Sequence, residues 1–228
     1  MPARPRNTSD PMQRAKPVPG SAGHGEPQYR HDETGALPRA VRKRPGIGSG
    51  YLVGLGSNLQ PERNIPAIIR TLLLEFGALG VSPVIKTRPV GIRSHHDFLN
   101  AVVFVETDLD ADRLKACFND IEERLGRDRS DSARHTKDRP ADLDILLHCQ
   151  GDGTLDAAQY PAEPYLRPPF LALCESMGLV GHTIENPELQ TVTLSLDGIE
   201  FGRHAQFLHV DGAGTIRDTA DLREPALR

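Results

Sequence analysis

The length and composition of the chain, 228 residues that are 38% hydrophobic and 25% charged with a formal net charge of −4, predict one globular domain with terminal extensions. No apolar run approaches the ~20 residues that span a bilayer, and no secretory signal pattern opens the chain, so we expect no membrane partner. The three cysteines are widely spaced within apolar sequence, which predicts buried thiols in a cytoplasmic protein.

The two ends of the chain differ in composition from its middle. Residues 1–48 contain eight prolines and almost no periodic apolar residues, which predicts a disordered tail. This tail is basic, but it has neither aromatic interleaving nor zinc-finger spacing, so we expect no nucleic-acid partner. Residues 218–228 are predicted to fray. The predicted domain therefore covers residues 49–217.

The domain is predicted to open with a strand and an amphipathic helix. The strand starts at Tyr51 and runs into a turn containing Asn58. Apolar residues at positions 65, 68, 69, 72, 73 and 76 then form the stripe of a helix. Pro66 is expected in the first turn of this helix, and Gly77 is expected to end it.

Two more strands are predicted around a polar loop. Val81–Thr87 forms the second strand, and a loop with Arg93, His95 and His96 follows. Phe98–Glu106 is the third strand, an apolar run that is interrupted by the amide of Asn100. A buried amide needs partners, so Asn100 either satisfies backbone groups or reads the polar edge of a heterocyclic ligand.

A second amphipathic helix, at about residues 111–125, is followed by a strongly charged segment. Residues 127–139 contain five Lys/Arg, among them Arg127, Arg129 and Arg139. An irregular polar segment of this length is uncommon in a compact domain unless it covers an active site. It can hold phosphate oxygens, or it can be a solvated loop.

The next strand carries two aspartates that point the same way. Asp142 and Asp144 alternate with Leu143 and Ile145, so a strand would place both carboxylates on one face. Two like charges side by side are costly unless a cation lies between them, and Mg²⁺ is often held by one or two carboxylates plus substrate phosphates. The alternative is a half-exposed edge strand with solvated aspartates.

Beyond these aspartates, the sequence predicts a short helix and two hairpins. The helix covers about Phe170–Met177. The hairpins turn near Asp197-Gly198 and Asp211-Gly212, which are dipeptides that favour tight turns.

Five segments resemble the 6-hydroxymethyl-7,8-dihydropterin pyrophosphokinase family, whose members transfer a pyrophosphoryl group from ATP to a pterin alcohol. The segments are GLGSNL at 54–59, TRPVG at 87–91, DFLNAV at 97–102, IEERLGR at 121–127 and RPADLDILL at 139–147. Their order and spacing are similar to those of the family. The resemblance and the element order favour an α+β, ferredoxin-like antiparallel sheet with the two amphipathic helices on one face and extra C-terminal strands.

The resemblance implies a role for each matching residue. Asp142 and Asp144 would hold two Mg²⁺ ions that bridge the ATP phosphates. Arg127 and Arg139 would act on those phosphates as catalytic residues. Other residues are implied for ATP binding, namely Glu122, Arg127, Arg129 and Arg139, and for pterin binding, namely Asn58, Thr87, Pro89, Val90, Phe98, Asn100 and, on the opposite ring face, Phe170. We expect ATP and a dihydropterin as small-molecule partners of a monomeric chain.

The sequence also departs from the family pattern. The loop before Arg139 usually carries a tryptophan and a Gly-Pro pair, whereas this chain has no tryptophan. The family's Pro-His segment, which helps to hold ATP, is replaced by PAEPY at 161–165. These changes leave two alternatives open: the same chemistry on a different reduced pterin, or a weakened paralogue that binds pterin or nucleotide as a sensor or partner.

Overall fold

The computed structural model describes residues 48–91, 94–131, 137–150, 154–180 and 190–219, in which helices and strands form an α+β fold, as predicted. The strands are β1 Gly50–Ser57, β2 Ala78–Val81, β3 Ile85–Thr87, β4 Phe98–Glu106, β5 Asp142–Cys149, β6 Leu194–Leu196, β7 Ile199–Phe201, β8 Gln206–Val210 and β9 Ile216–Asp218. The helices are α1 Pro61–Phe76, α2 Ala111–Arg124 and α3 Arg167–Ser176, and a short 3₁₀ turn covers Ala157–Gln159.

Seven strands form one antiparallel sheet in the order β5-β1-β4-β2-β8-β9, and β3 also pairs with β4. The inner order β5-β1-β4-β2, with α1 and α2 as the connecting helices, is the ferredoxin-like arrangement that the sequence predicted. The C-terminal pair β8–β9 continues this sheet beyond β2, while β6–β7 forms a separate hairpin. Strand β5, which carries both aspartates, is therefore an edge strand beside β1.

Apolar cores cover both faces of the sheet. One core joins the sheet to α1 and α2, with Val53 of β1 and Phe118 of α2 among its buried residues. The other joins the sheet to α3, with Leu52 of β1 and Phe170 of α3 fully buried. Because both faces are covered, β1 and β4 are apolar at nearly every position rather than at alternate ones. Full burial of each large aliphatic side chain contributes about 1.5–3 kcal/mol.

The structure corrects two local predictions. The predicted strand Val81–Thr87 is two strands, β2 and β3, because Pro83 has no N–H to donate to a ladder. At this break, the Ser82 hydroxyl accepts the N–H of Val102 at 2.8 Å and so holds β4 in place. The prediction for Pro66 was also wrong: α1 begins at Pro61, so Pro66 lies in its second turn.

Both predicted C-terminal hairpins are present. Asp197 and Gly198 have positive φ angles of 51° and 86°, as a type I′ turn requires. The turn between β8 and β9 is held by the carboxylate of Asp211, which accepts the N–H groups of Ala213 and Thr215 at 2.9 Å.

Several predictions fall on residues that the structure does not describe. These include nearly all of the two predicted tails, as well as Arg93, Arg134 and His135. Among the described helices, none has the length and apolarity needed to cross a membrane. The predicted burial of the thiols holds for Cys149 and Cys174, and burial raises the pKa of Cys174 to about 12.

Candidate active site

A cleft opens over β1, β4 and the start of β5. Seven residues that the sequence predicted for the site line it, namely Thr87, Val90, Phe98, Asn100, Arg139, Asp142 and Asp144. The other lining residues are Gly54, Leu55, Gly56, Arg88, Tyr165 and Leu166. Four of the five similar segments therefore contribute to one cleft although they are far apart in the chain, and the fifth, at 121–127, contributes no lining residue.

The floor of the cleft is a row of three residues on adjacent strands. Gly56 of β1 pairs with Asn100 of β4 on one side and with Asp142 of β5 on the other. A Cβ at position 56 would lie 3.1 Å from Asn100 Oδ1 and 3.8 Å from the Asp142 Cβ. Because Gly56 has no side chain, the space between the amide and the carboxylate stays open to a ligand.

The Asn100 side of the cleft combines an amide with an aromatic ring. Asn100 is 4% exposed, and its Nδ2 donates to Thr87 Oγ1 at 2.7 Å. This bond orients the amide so that Oδ1 lies beside Gly56. Phe98 lines the same end of the cleft, and Val90 lies at the rim with 69% exposure. A flat heterocycle would find an aromatic face and a polar edge here.

The Asp142 side of the cleft is strongly charged. Asp142 Oδ1 accepts from Arg127 Nη1, and Oδ2 accepts from Arg139 Nη1, each at 2.5 Å. Asp144 Oδ1 accepts from Lys115 Nζ at 2.8 Å. Two of the predicted phosphate cations, Arg127 and Arg139, therefore share the carboxylate of Asp142, whereas Asp144 pairs separately with Lys115. Arg127 contacts the site through Asp142 rather than by lining the cleft.

Glu122 lies beneath these ion pairs rather than in the cleft. Its side chain is fully buried; Oε1 accepts the N–H of Leu143 at 2.7 Å, and Oε2 accepts from Arg129 and forms an ion pair with Arg127 Nη1 at 2.9 Å. Glu122 thus ties α2 to β5 between the two aspartates and orients two arginines. Burial raises the pKa of Glu122, and the Leu143 N–H and the two guanidinium groups oppose that rise.

The raised pKa of Glu122 predicts a pH dependence of stability. Above the pKa of an unfolded glutamate, about 4.3, the folded protein retains a proton that the unfolded chain has lost. The free energy of unfolding of the wild type should therefore fall, relative to that of Glu122→Gln, as pH rises towards the folded pKa. Urea denaturation of both proteins from pH 4 to pH 8 measures this difference. An increase in the free energy of unfolding of the wild type, relative to that of Glu122→Gln, over this pH range would mean that the two arginines lower the pKa of Glu122 more than burial raises it.

Asn58 holds the segment that precedes β5. Its Nδ2 donates to Asp138 at 2.7 Å and to Ser94 at 3.2 Å, while its Oδ1 accepts the N–H of Arg139 at 2.6 Å. The backbone N–H of Asn58 also donates to the Arg139 carbonyl at 3.0 Å. Asn58 therefore positions Arg139 at the cleft and does not line the cleft itself.

The structure corrects the prediction for Phe170 and brings Tyr165, for which no role was predicted, to the cleft. Phe170 is fully buried in the core between the sheet and α3, with Tyr160 as its ring neighbour at 5.9 Å, so it does not face the cleft. Tyr165 lines the cleft instead. Its position in PAEPY, where the family pattern is absent, is the sequence signal that could have identified it. Pro89, Glu122, Arg127 and Arg129 also lie outside the lining.

The aspartate pair fits a magnesium site by the chemistry of its donors. Asp142 and Asp144 supply carboxylate oxygens on one face of β5, and the facing residues of β1, Gly56 and Gly54, add no side chain that would crowd them. In the described ranges, no group of three or more His, Cys, Asp or Glu side chains could hold a metal. Two carboxylates suit Mg²⁺ when water and substrate phosphates complete its octahedral shell.

Comparison with known proteins agrees with this geometry. A sequence profile described as 7,8-dihydro-6-hydroxymethylpterin-pyrophosphokinase matches residues 52–175. Three relatives, each named 2-amino-4-hydroxy-6-hydroxymethyldihydropteridine pyrophosphokinase, are also similar. The protein from Porphyromonas gingivalis is 37% identical over 98 residues, which are 42% of this chain and 67% of that protein.

The other two relatives are similar over nearly the same length. The protein from Campylobacter jejuni is 30% identical over 102 residues, 43% of this chain and 63% of its own length. That from Haemophilus influenzae is 33% identical over 99 residues, 42% of this chain and 60% of its own length. The alignments thus span about two thirds of each relative. With more than half of its length matched by the profile, this chain belongs to the 7,8-dihydro-6-hydroxymethylpterin-pyrophosphokinase family.

Proposed function

We propose that this protein transfers a pyrophosphoryl group from ATP to the hydroxymethyl group of 6-hydroxymethyl-7,8-dihydropterin, releasing AMP, as a step of folate biosynthesis. The observation that carries the proposal is the row Asn100–Gly56–Asp142, in which a buried amide and a carboxylate lie on either side of an open floor. Family membership agrees with it. We further propose that the chain works as a monomer in the cytoplasm.

The pterin would lie at the Phe98 end of the cleft. Phe98 would stack on one ring face, the Asn100 amide would bond the pterin edge, and the backbone from Thr87 to Val90 would close the pocket. Tyr165 also lines the cleft and is the candidate partner for the second ring face. The hydroxymethyl oxygen would then point along the floor towards Asp142.

The ATP phosphates would lie at the charged end of the cleft. Arg139 lines the cleft, and Arg127 contacts the same Asp142 carboxylate from outside the lining. Both guanidinium groups could therefore stabilise negative charge that develops on the phosphates. Asp142 and Asp144 would hold two Mg²⁺ ions, which would neutralise phosphate charge when bound. The pterin hydroxyl oxygen would form a bond to the β-phosphorus and lose its proton to solvent, while the bond from that phosphorus to the α,β-bridging oxygen breaks and AMP leaves with that oxygen.

Product analysis tests this function. The purified protein is incubated with MgATP and 6-hydroxymethyl-7,8-dihydropterin, and AMP and the pterin diphosphate are separated by chromatography. We expect both products, in equal amounts, only when both substrates are present. ADP as the product would contradict pyrophosphoryl transfer, and AMP formed without pterin would contradict the proposed acceptor.

Replacing Phe98 with alanine should weaken pterin binding by about three- to tenfold, the contribution of one aromatic stacking partner. The affinity for a non-hydrolysable ATP analogue should stay within about twofold, because Phe98 belongs to β4, whereas Arg139 precedes β5 on the other side of β1. Isothermal titration calorimetry with each ligand measures the two effects separately.

Phe98→Tyr is the matched control for this substitution, because it keeps the ring and should keep most of the pterin affinity. Equal losses for pterin and nucleotide in Phe98→Ala would count against an aromatic pterin site at Phe98.

A further inference from the structure

Lys115 of α2 reaches the edge of the sheet beside the aspartate pair. Its Nζ donates to the Leu143 carbonyl at 2.6 Å and to Asp144 Oδ1 at 2.8 Å. Glu122, seven residues later and thus two turns further along the same side of α2, accepts the N–H of the same Leu143. Through Lys115 and Glu122, helix α2 therefore binds both the carbonyl and the N–H of Leu143, the residue between the two aspartates.

The contact of Lys115 with Asp144 differs in exposure from the contacts of Asp142. The side chains of Lys115 and Asp144 are 38% and 62% exposed, whereas Asp142 is 19% exposed between Arg127 and Arg139. An exposed ion pair exchanges with water and contributes little to stability. Loss of the Lys115 charge should therefore change the site without unfolding the protein.

The same contact has a direct consequence for a metal ion. An ammonium group 2.8 Å from a carboxylate oxygen occupies a position where a cation would bind, and it repels any divalent cation at the neighbouring oxygen. Together, Lys115, Arg127 and Arg139 place three positive charges against the two carboxylates of the pair. In this state the site favours a polyanion over a bare divalent cation.

We propose that Lys115 sets the metal affinity of the site: it occupies Asp144 in the free protein and has to share or release that carboxylate when a metal ion binds. This inference rests on the proposed function, because it takes Asp144 as a metal ligand. Lys115 is then a positioning residue whose charge weakens binding of the bare cation. The metal ion would therefore bind tightly only together with a phosphate ligand.

Titration of Mn²⁺ into the protein without nucleotide, followed by water proton relaxation, tests the proposal. Lys115→Met should bind Mn²⁺ roughly two- to fivefold more tightly than the wild type, the size of a part-exposed ion pair. Lys115→Gln should do the same, whereas Lys115→Arg, which keeps the charge, should resemble the wild type. The Mg²⁺ concentration for half-maximal turnover should fall in parallel in the first two variants.

Arg113→Met is the matched control for the loss of one positive charge, because Arg113 lies on the same helix and pairs with Asp110 rather than with the aspartate pair. It should leave Mn²⁺ affinity unchanged. If Lys115→Met binds Mn²⁺ no more tightly than the wild type, the proposal for Lys115 is wrong. If Asp144→Asn leaves the affinity for Mn²⁺ unchanged both in the wild type and in Lys115→Met, the metal site of the proposed function is wrong instead.

Discussion

Replacing Asp142 with asparagine should lower turnover by about a hundredfold or more while the protein stays folded. The substitution keeps the size of the side chain but removes the negative charge that both Arg127 and Arg139 contact at 2.5 Å. It also removes one of the two proposed metal ligands. Arg127 keeps Glu122 and the Ala141 carbonyl as partners, so the loss of stability should stay below the about 3–5 kcal/mol of a buried ion pair that loses one partner.

Single-turnover measurement of AMP formation, together with thermal unfolding, checks this expectation. Asp112→Asn is the control, because Asp112 lies exposed in the first turn of α2, outside the cleft. It removes the same charge and should leave turnover unchanged. Turnover of Asp142→Asn close to that of the wild type would remove Asp142 from the proposed machinery.

Replacing Glu122 with alanine should destabilise the protein by about 3–5 kcal/mol, because it leaves part-buried guanidinium groups without their buried carboxylate. Arg127 and Arg129 both contact Glu122 Oε2, and the Leu143 N–H donates to Oε1. The loss should therefore disturb β5 as well as the two arginines. Urea denaturation at pH 7 measures the free energy of unfolding.

Two variants make the Glu122 result specific. Glu122→Gln keeps an acceptor for the Leu143 N–H, so it should lose less stability than Glu122→Ala. Glu123→Ala, at the next position, removes a carboxylate whose side chain is 57% exposed and should change stability by no more than about 0.5 kcal/mol. Similar stabilities for the two alanine variants would show that the buried network has little effect on the fold.

Much of the site was predictable because its signals are local. Asp142 and Asp144 are two residues apart in a strand, so alternation alone placed them on one face, and the structure has both in the cleft. Asn100 was singled out as the one amide in an apolar strand, whereas Phe98, two residues earlier on β4, was implied by the family resemblance. The implied roles of these residues remain proposals that the variants above test.

Other assignments needed distances between residues far apart in the chain. Phe170 was placed near a pterin ring by resemblance, but α3 packs it into the core, and Tyr165 faces the cleft instead. The periodicity of a short helix gives its apolar face, yet it does not say which side of a sheet that face covers. Glu122 was implied for ATP binding by the resemblance, and only the packing of α2 on β5 showed that it is fully buried.

The sequence by itself determined the kinds and order of most elements, the family and the residue types available to the site, because periodicity and motif spacing are properties of neighbouring residues. The tertiary structure alone decided which of those residues meet. Lys115 reaches Asp144 across 29 positions of sequence, and Asn58 reaches Arg139 across 81. Such contacts depend on strand register and helix packing, which are set by the burial of both faces of the sheet rather than by any local pattern.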